Sequence, residues 1–372
     1  MMTISSIKVS GTVVLLLLLV SQLFAADDGA LILERANSNE NTYSRGEFVS
    51  YLKGNVVFRY DDIRISADEA TWWKSQGVVN FKNKVVVERK NQYMTCDRLN
   101  FTRRNNLLTA SGKFFFQDSS QLATLTGNDA EYRADKRNFV LRGNPLLVRR
   151  DSSETDTLFI SGKVMNYTDS VKMATVTDNV KIRKGRLLAV CKKADYFTKE
   201  NSAQLRVKPE VFYDNHKVIG DSVDLLFGKE SLKSARVIGN SHGRYAESSA
   251  KAPMDTTITH IWSDSLFLTV SDSGSLDSLY AYGKVLSRYF AKEDSASSNE
   301  ASGKMMVLSF GENGKVDKAV IRGNARSVYH IEEKDGRGRN EASGDQIIVT
   351  FEMGRARLLK LLGSTRGIYF PQ

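Results

Sequence analysis

Five aspartates occupy one position of a degenerate motif. Asp68, Asp97, Asp221, Asp264 and Asp345 each follow a small residue, in SADEATW, TCDRLNF, IGDSVDL, WSDSLFL and SGDQIIV. Carboxylates stacked on neighbouring strands could act as the acid and base that cleave a glycosidic bond. Lys163, Lys192 and Lys304 fill the same position in other copies, however, and alternating signs describe a solvated ladder with cross-strand pairing better than a catalytic cleft. His216, His242, His260 and His330 share no metal-ligand spacing. No serine lies in a G-x-S-x-G elbow, and no phosphate-cradling glycine loop precedes a helical pattern. The residues assign no catalytic group, no metal and no cofactor.

The element that carries the aspartates is itself repeated. Small residues recur at Ala67, Cys96, Gly127, Gly162, Cys191, Gly220, Ser263, Gly303 and Gly344, nine copies in order. Three residues after each comes an apolar residue: Ala70, Leu99, Ala130, Met165, Ala194, Val223, Leu266, Met306 or Ile347. Two further on stands a second: Trp72, Phe101, Tyr132, Tyr167, Tyr196, Leu225, Leu268, Leu308 or Val349. A spacing of two puts both columns on one face of a strand, and the residues between them are mostly polar. The small position marks a close approach where strands bend. Cys96 and Cys191 occupy that slot three repeats apart, so the spacing disfavours a disulfide between them.

Each copy is preceded by a turn signature: GNVVF at Gly54, NKVVV at Asn83, GKFFF at Gly112, GNPLL at Gly143, and later forms at Asp178, Pro209, Gly239, Gly283 and Gly323. The unit is therefore two short strands and two turns. The expected fold is all-β, elongated, with no helix; even ARLLKLL falls where earlier copies carry a strand. From Gly239 onward the repeats gain polar residues, as in AKEDSASSNEA. This divides the chain into residues 26–230 and 231–372, whether as two domains or as one continuous array. Residues 1–25, with Lys8 before an apolar run and small residues at Ala25 and Ala26, carry the features of a cleaved secretory signal. The net charge is +10, of which Lys8 leaves with the signal; on an exported protein this is either a soluble surface that is simply basic or a surface for anionic lipid or glycan phosphates rather than nucleic acid.

The stretch GNVVFRYDDIRISADEATWWKSQGVVNFKNKVVV resembles the repeat of the OstA/LptA-like family, the periplasmic component of lipopolysaccharide export. The resemblance implies a twisted, taco-like β-jellyroll of two facing antiparallel sheets, open along one seam. Lipopolysaccharide acyl chains would slide along its apolar trough. It further implies edge-strand pairing with other transport proteins or with itself, for which Ile368, Tyr369 and Phe370 are the expected contacts. The lipid-facing residues would be Trp72, Leu99, Phe101, Tyr132, Met165, Tyr167, Tyr196, Val223, Leu225, Leu266, Leu268, Met306, Leu308, Ile347 and Val349. This chain is about twice the length of a small single-jellyroll member and lacks the barrel of the large one. Two other readings compete: a structural or adhesive β-solenoid with a packed core, and a secreted polysaccharide-active enzyme.

Overall fold

The computed structural model describes residues 31–44, 46–120, 122–150, 157–228, 232–249, 252–290, 298–311, 314–333, 336–352 and 355–371. The expected signal segment lies outside them. Among the described residues there are 26 strands and no α-helix; two single 3-10 turns, Arg103–Asn105 and Asp169–Val171, join strands. ARLLKLL lies in the strand Arg355–Leu362. The chain divides into two compact units, one of Met1–Arg183 with Lys193–Ser202 and one of Lys184–Lys192 with Ala203–Gln372.

In the first unit the long strands Glu47–Tyr60, Ile63–Trp73, Val78–Arg89, Gln92–Thr102, Leu107–Asp118 and Ala123–Arg133 follow one another as antiparallel neighbours. Each pairing breaks register once, near its middle. Between Glu47–Tyr60 and Ile63–Trp73, for example, Lys53 pairs Glu69 and Val56 pairs Ala67, so that Gly54 and Asn55 face Asp68 alone. Two residues against one is a β-bulge, which bends and twists the strand. The bulged residues take positive φ, +73° at Gly54 and +49° at Asn55, which glycine and asparagine tolerate best.

Each bulge divides its strand into two limbs, and the limbs assemble into two walls. Leu52, Ala70, Phe81, Leu99, Ala110 and Ala130 line the first wall; Phe58, Ile65, Val87, Met94, Phe116 and Leu125 line the second, and all are buried. The walls meet face to face. The Phe58 ring lies edge-on to Trp72 and to Phe81, both at 5.3 Å, and Phe114 reaches Phe139 at 6.0 Å. Burying such rings contributes most of the stabilisation available to a sheet that is wet on its outer face.

The second unit repeats the scheme with longer strands. Leu232–Ser249, Ala252–Val270, Leu276–Phe290, Asn299–Phe310, Val316–Glu333 and Gly336–Glu352 pair in sequence; every pairing breaks register at a corner, and three of them break it a second time near a strand end. Corner residues at positive φ include Gly239 with Asn240, Gly283, Gly323 with Asn324, and Gly363 with Ser364. Strands of the later repeats are longer; Ala252–Val270 alone runs for 19 residues. Tyr245 of the second wall packs against Phe310 of the first at 5.2 Å.

A candidate lipid-binding interior

The corner explains the small and acidic columns together. The small residue points inward, where the next strand's apolar side chain passes directly over it. A Cβ on Gly127 would stand 2.8 Å from the Leu141 side chain, and one on Gly303 would stand 2.7 Å from Ile321. The next residue points outward and covers the corner glycine of the neighbouring strand: Asp97 over Gly112, Asp221 over Gly239, Asp264 over Gly283, and Asp345 over Gly363. Asn240 Nδ2 donates to both oxygens of Asp221, at 3.2 and 3.1 Å. Asp68 accepts an ion pair from Lys84 at 3.3 Å. These carboxylates hold corners, so their repetition has a structural cause.

The predicted inner columns lie inside the walls. Leu99, Phe101, Tyr132, Met165, Tyr167, Tyr196, Val223, Leu225, Leu266, Leu268, Met306, Leu308 and Ile347 are all at most 6% exposed; Trp72 and Val349 are half-buried. They line the first wall only. The facing wall, with Ile63 and Ile65, Met94, Phe114 and Phe116, Leu158 and Ile160, was not among the predicted site residues. On the strand that carries the small residue the in–out alternation reverses at the corner, from Ala70 to Ala67 and Ile65, whereas the bulged strand keeps its parity from Leu52 through Val56 to Phe58.

Counting six residues from each corner recovers a further column. It reads Tyr60, Arg89, Asp118, Arg149, Lys184, Tyr213, Tyr245, Tyr289, Tyr329 and Tyr369. Every member has a polar tip; Tyr60, Asp118, Lys184, Tyr213 and Tyr245 are buried at the far end of the second wall, Arg89, Arg149 and Tyr289 are half-buried there, and Tyr329 and Tyr369 are exposed. The interior is thus apolar in its depth and polar along its rim. In the first unit, Arg149 Nη1 donates to Tyr196 Oη on the opposite wall at 3.2 Å. Gln92 Nε2 donates to the buried Asp118 carboxylate at 3.0 Å, and the Ser120 backbone N–H does so at 2.9 Å. Burial pushes the Tyr60 phenol up, partly offset by the nearby Arg103 guanidinium.

The second unit keeps some interior space. Val211, Val218, Ile261, Leu268 and Leu279 bound a cavity of about 30 Å³, with Tyr213, His216 and Tyr245 around it. That is room for one or two water-sized groups. His216 stacks on Tyr245 at 4.6 Å, and its Nδ1 accepts the Ala246 N–H at 3.3 Å. Burial lowers the His216 pKa to about 4, so the ring is neutral at physiological pH.

The histidines do not form a metal centre. His242 Nε2 and His260 Nδ1 approach to 2.9 Å, and both rings stack on Trp262, at 5.0 and 5.5 Å. Among the described residues no three metal-ligating side chains gather. Cys96 and Cys191 are both buried and form no disulfide.

Ile368, Tyr369 and Phe370 lie on the strand Arg366–Pro371, which pairs with Gly336–Glu352 from Ser343↔Arg366 to Gly338↔Pro371. Among the described residues this is the only pairing it makes, so its other side is a sheet edge. Tyr369 and Phe370 are exposed, and the Arg339 guanidinium sits 4.7 Å from the Phe370 ring centre.

No family model matches the sequence, and no curated protein matches it. Among solved structures, the crystal structure of LptH, the LptA homologous periplasmic component of the conserved lipopolysaccharide transport device from Pseudomonas aeruginosa, is similar over 39% of this chain and 82% of that one. The identity is 15% and the TM-score 0.21, a superposition that decides neither fold nor function here.

Proposed function

We propose that this protein is a non-enzymatic, exported lipid-shielding bridge that takes acyl chains of lipopolysaccharide between its two walls on the way to the outer membrane. In this reading the fold is a twisted jellyroll built from about nine two-strand repeats. The segment 1–25 is its secretory signal, and the periplasm its compartment. The observation that carries the reading is the sorting of the inward residues, apolar in the depth of both walls and polar-tipped at the rim from Tyr60 to Tyr289. An amphiphile needs that environment. Each methylene kept from water is worth about 0.8 kcal/mol, so a chain of about twelve carbons needs roughly 10 kcal/mol of shielding. A repeated wall offers the same shelter at each step, and no reaction is required.

The small cavity favours a second reading, a rigid spacer whose interior is filled by its own side chains. The two separate cleanly in a cell. A photo-crosslinking residue at Tyr132 or Tyr167, on the inner columns, is expected to capture lipopolysaccharide, whereas one at Glu131, on the outer face, is not. Equal labelling at Glu131, or no adduct at any position, would leave the spacer reading in possession.

A further inference from the structure

The rim of the second unit is fastened, and the fastenings follow the repeat. Lys184 Nζ donates to the Gly228 carbonyl at 2.6 Å, Tyr213 Oη to the Gly274 carbonyl at 2.6 Å, and Tyr245 Oη to the Gly314 carbonyl at 2.7 Å. All three donors belong to the rim column six residues past a corner. All three acceptors sit at the hairpin ends of the first wall. Arg186 Nη1 adds a bond to Gly274 O at 3.1 Å, and Lys315 Nζ pairs with Glu247 Oε1 at 2.8 Å. These contacts join residues 44 to 88 apart in sequence, so they are not part of the strand ladder. Further along the same column the pattern lapses: Tyr329 is 44% exposed and Tyr369 is 54% exposed.

We propose that this row of side-chain-to-hairpin bonds is a gate, and that parting it lets the walls separate enough to admit a single acyl chain, attached to an anionic head group, behind Tyr213 and Tyr245, where the closed interior has room only for one or two water-sized groups. The inference rests on the lipid-shielding reading and adds the route of entry. The strand ladder runs along each wall, but across the seam only side chains bridge, and each such bond is worth little net because water can replace it. Opening the seam therefore leaves the backbone ladder untouched. The occupant follows from the lining. Val211, Val218, Ile261, Leu268 and Leu279 make most of the lining apolar, with His216, Lys217 and Arg244 also on it, while Lys184, Arg186 and Lys315 belong to the fastenings, where a carboxylate or phosphate would rest once they part. The exposed Tyr329 and Tyr369 mark the end of the column from which the gate would unfasten.

The test uses the full mature chain and the fluorescent fatty acid cis-parinaric acid. The double variant Tyr213→Phe/Tyr245→Phe removes two fastenings and keeps both rings. Its uptake is expected to be faster than wild type by roughly tenfold, the combined effect of two ordinary hydrogen bonds, with the thermal midpoint shifted by only a few degrees. In a second variant, Glu247→Cys/Lys315→Cys, a short bis-maleimide ties the seam shut, and uptake is expected to fall to background. Equal uptake by the tied and untied forms overturns the gate while leaving lipid shielding intact. Failure of every form to take up the probe, with lipopolysaccharide crosslinking at Tyr132 also absent, overturns both. Crosslinking at Tyr132 without any uptake of the probe overturns the gate alone.

Discussion

The Asp221 carboxylate lies directly over the α-carbon of Gly239, close enough that a Cβ there would overlap it, and the next residue, Asn240, hydrogen-bonds to both carboxylate oxygens. Gly239 also holds φ at +73°. Gly239→Ala thus meets two penalties, a backbone conformation costly for an L-residue and a displaced aspartate, together about 2–4 kcal/mol. Asp221→Ala alone removes the Asn240 bonds and costs about 1 kcal/mol. The double variant is expected to lose less than the sum, because the overlap disappears with the carboxylate and only the backbone strain remains. Urea unfolding of the four proteins measures this. Strict additivity would show that the aspartate does not hold the corner.

The same corner marks the limit of what the sequence discloses. Alternation of period two, visible from Ala67 through Ala70 to Trp72, identifies strands and one dry face, because that run lies almost wholly within one limb. The segment after the corner is harder to read. On the aspartate strand the inward positions change parity at the corner, from Trp72 and Ala70 to Ala67, Ile65 and Ile63, so no unbroken pattern announces Ile65; the glycine strand keeps its parity from Leu52 through Val56 to Phe58, which meets Trp72 and Phe81. The rim column was legible in principle, since Tyr60, Arg149, Tyr213 and Tyr245 all stand six residues past a corner. Their mixed chemistry hid it: tyrosine, arginine, lysine and aspartate share only a polar tip, and the short Asp118 bonds Gln92 of the neighbouring strand, not the opposite wall. Which carbonyl each tip meets depends on contacts dozens of residues apart, and no local spacing encodes that.

His216 makes stability depend on acid. The folded protein keeps the ring neutral down to about pH 4, whereas an unfolded chain protonates it near pH 6.5. Between those values the unfolded state binds more protons, so this residue's contribution is intact above about pH 6.5, declines as pH falls and levels off below about 4. The loss amounts to a few kcal/mol at most. Carboxylates titrate in the same range, so the informative quantity is the difference between wild type and His216→Asn. The gap between their urea midpoints is expected to narrow from pH 7 to pH 4.5. A gap that does not change with pH would show that the folded ring takes its proton as readily as the unfolded one.

Cys96 is expected to be chemically silent. Burial in the small slot, reinforced by the negative charge of Asp97, pushes its thiol up to about 12, against a weaker opposite effect of the Arg98 backbone. The thiolate is the reactive form, so at pH 8 the folded protein holds almost none. In a Cys191→Ala background, Ellman's reagent should find no fast-reacting thiol in the native protein and one after denaturation in concentrated urea. The same shift predicts that folding stability erodes above about pH 9, where an unfolded thiol ionises and the folded one does not. Prompt labelling of the native protein would show that the corner opens on the timescale of the reaction.

The strand Arg366–Pro371 makes the most direct prediction about assembly. It carries Ile368, Tyr369 and Phe370 beside a row of backbone groups that no described strand covers, and such an edge adds a further strand unless charge or a bulge prevents it. Arg366 stands at the start of the strand, but the following positions, Gly367 through Phe370, are uncharged. Nothing in that run opposes a neighbour. Ile368→Glu/Tyr369→Glu places two charges where paired strands would sit under 5 Å apart, so like charges from two copies would repel. Self-association is expected to weaken by at least about tenfold, with the thermal midpoint little changed because both side chains are partly or largely exposed in the single chain. Sedimentation velocity across a concentration series reads this directly. If wild type and variant sediment alike as a concentration-dependent series of oligomers, association runs through another surface; if both remain monomers throughout, this edge does not pair with a second copy at all.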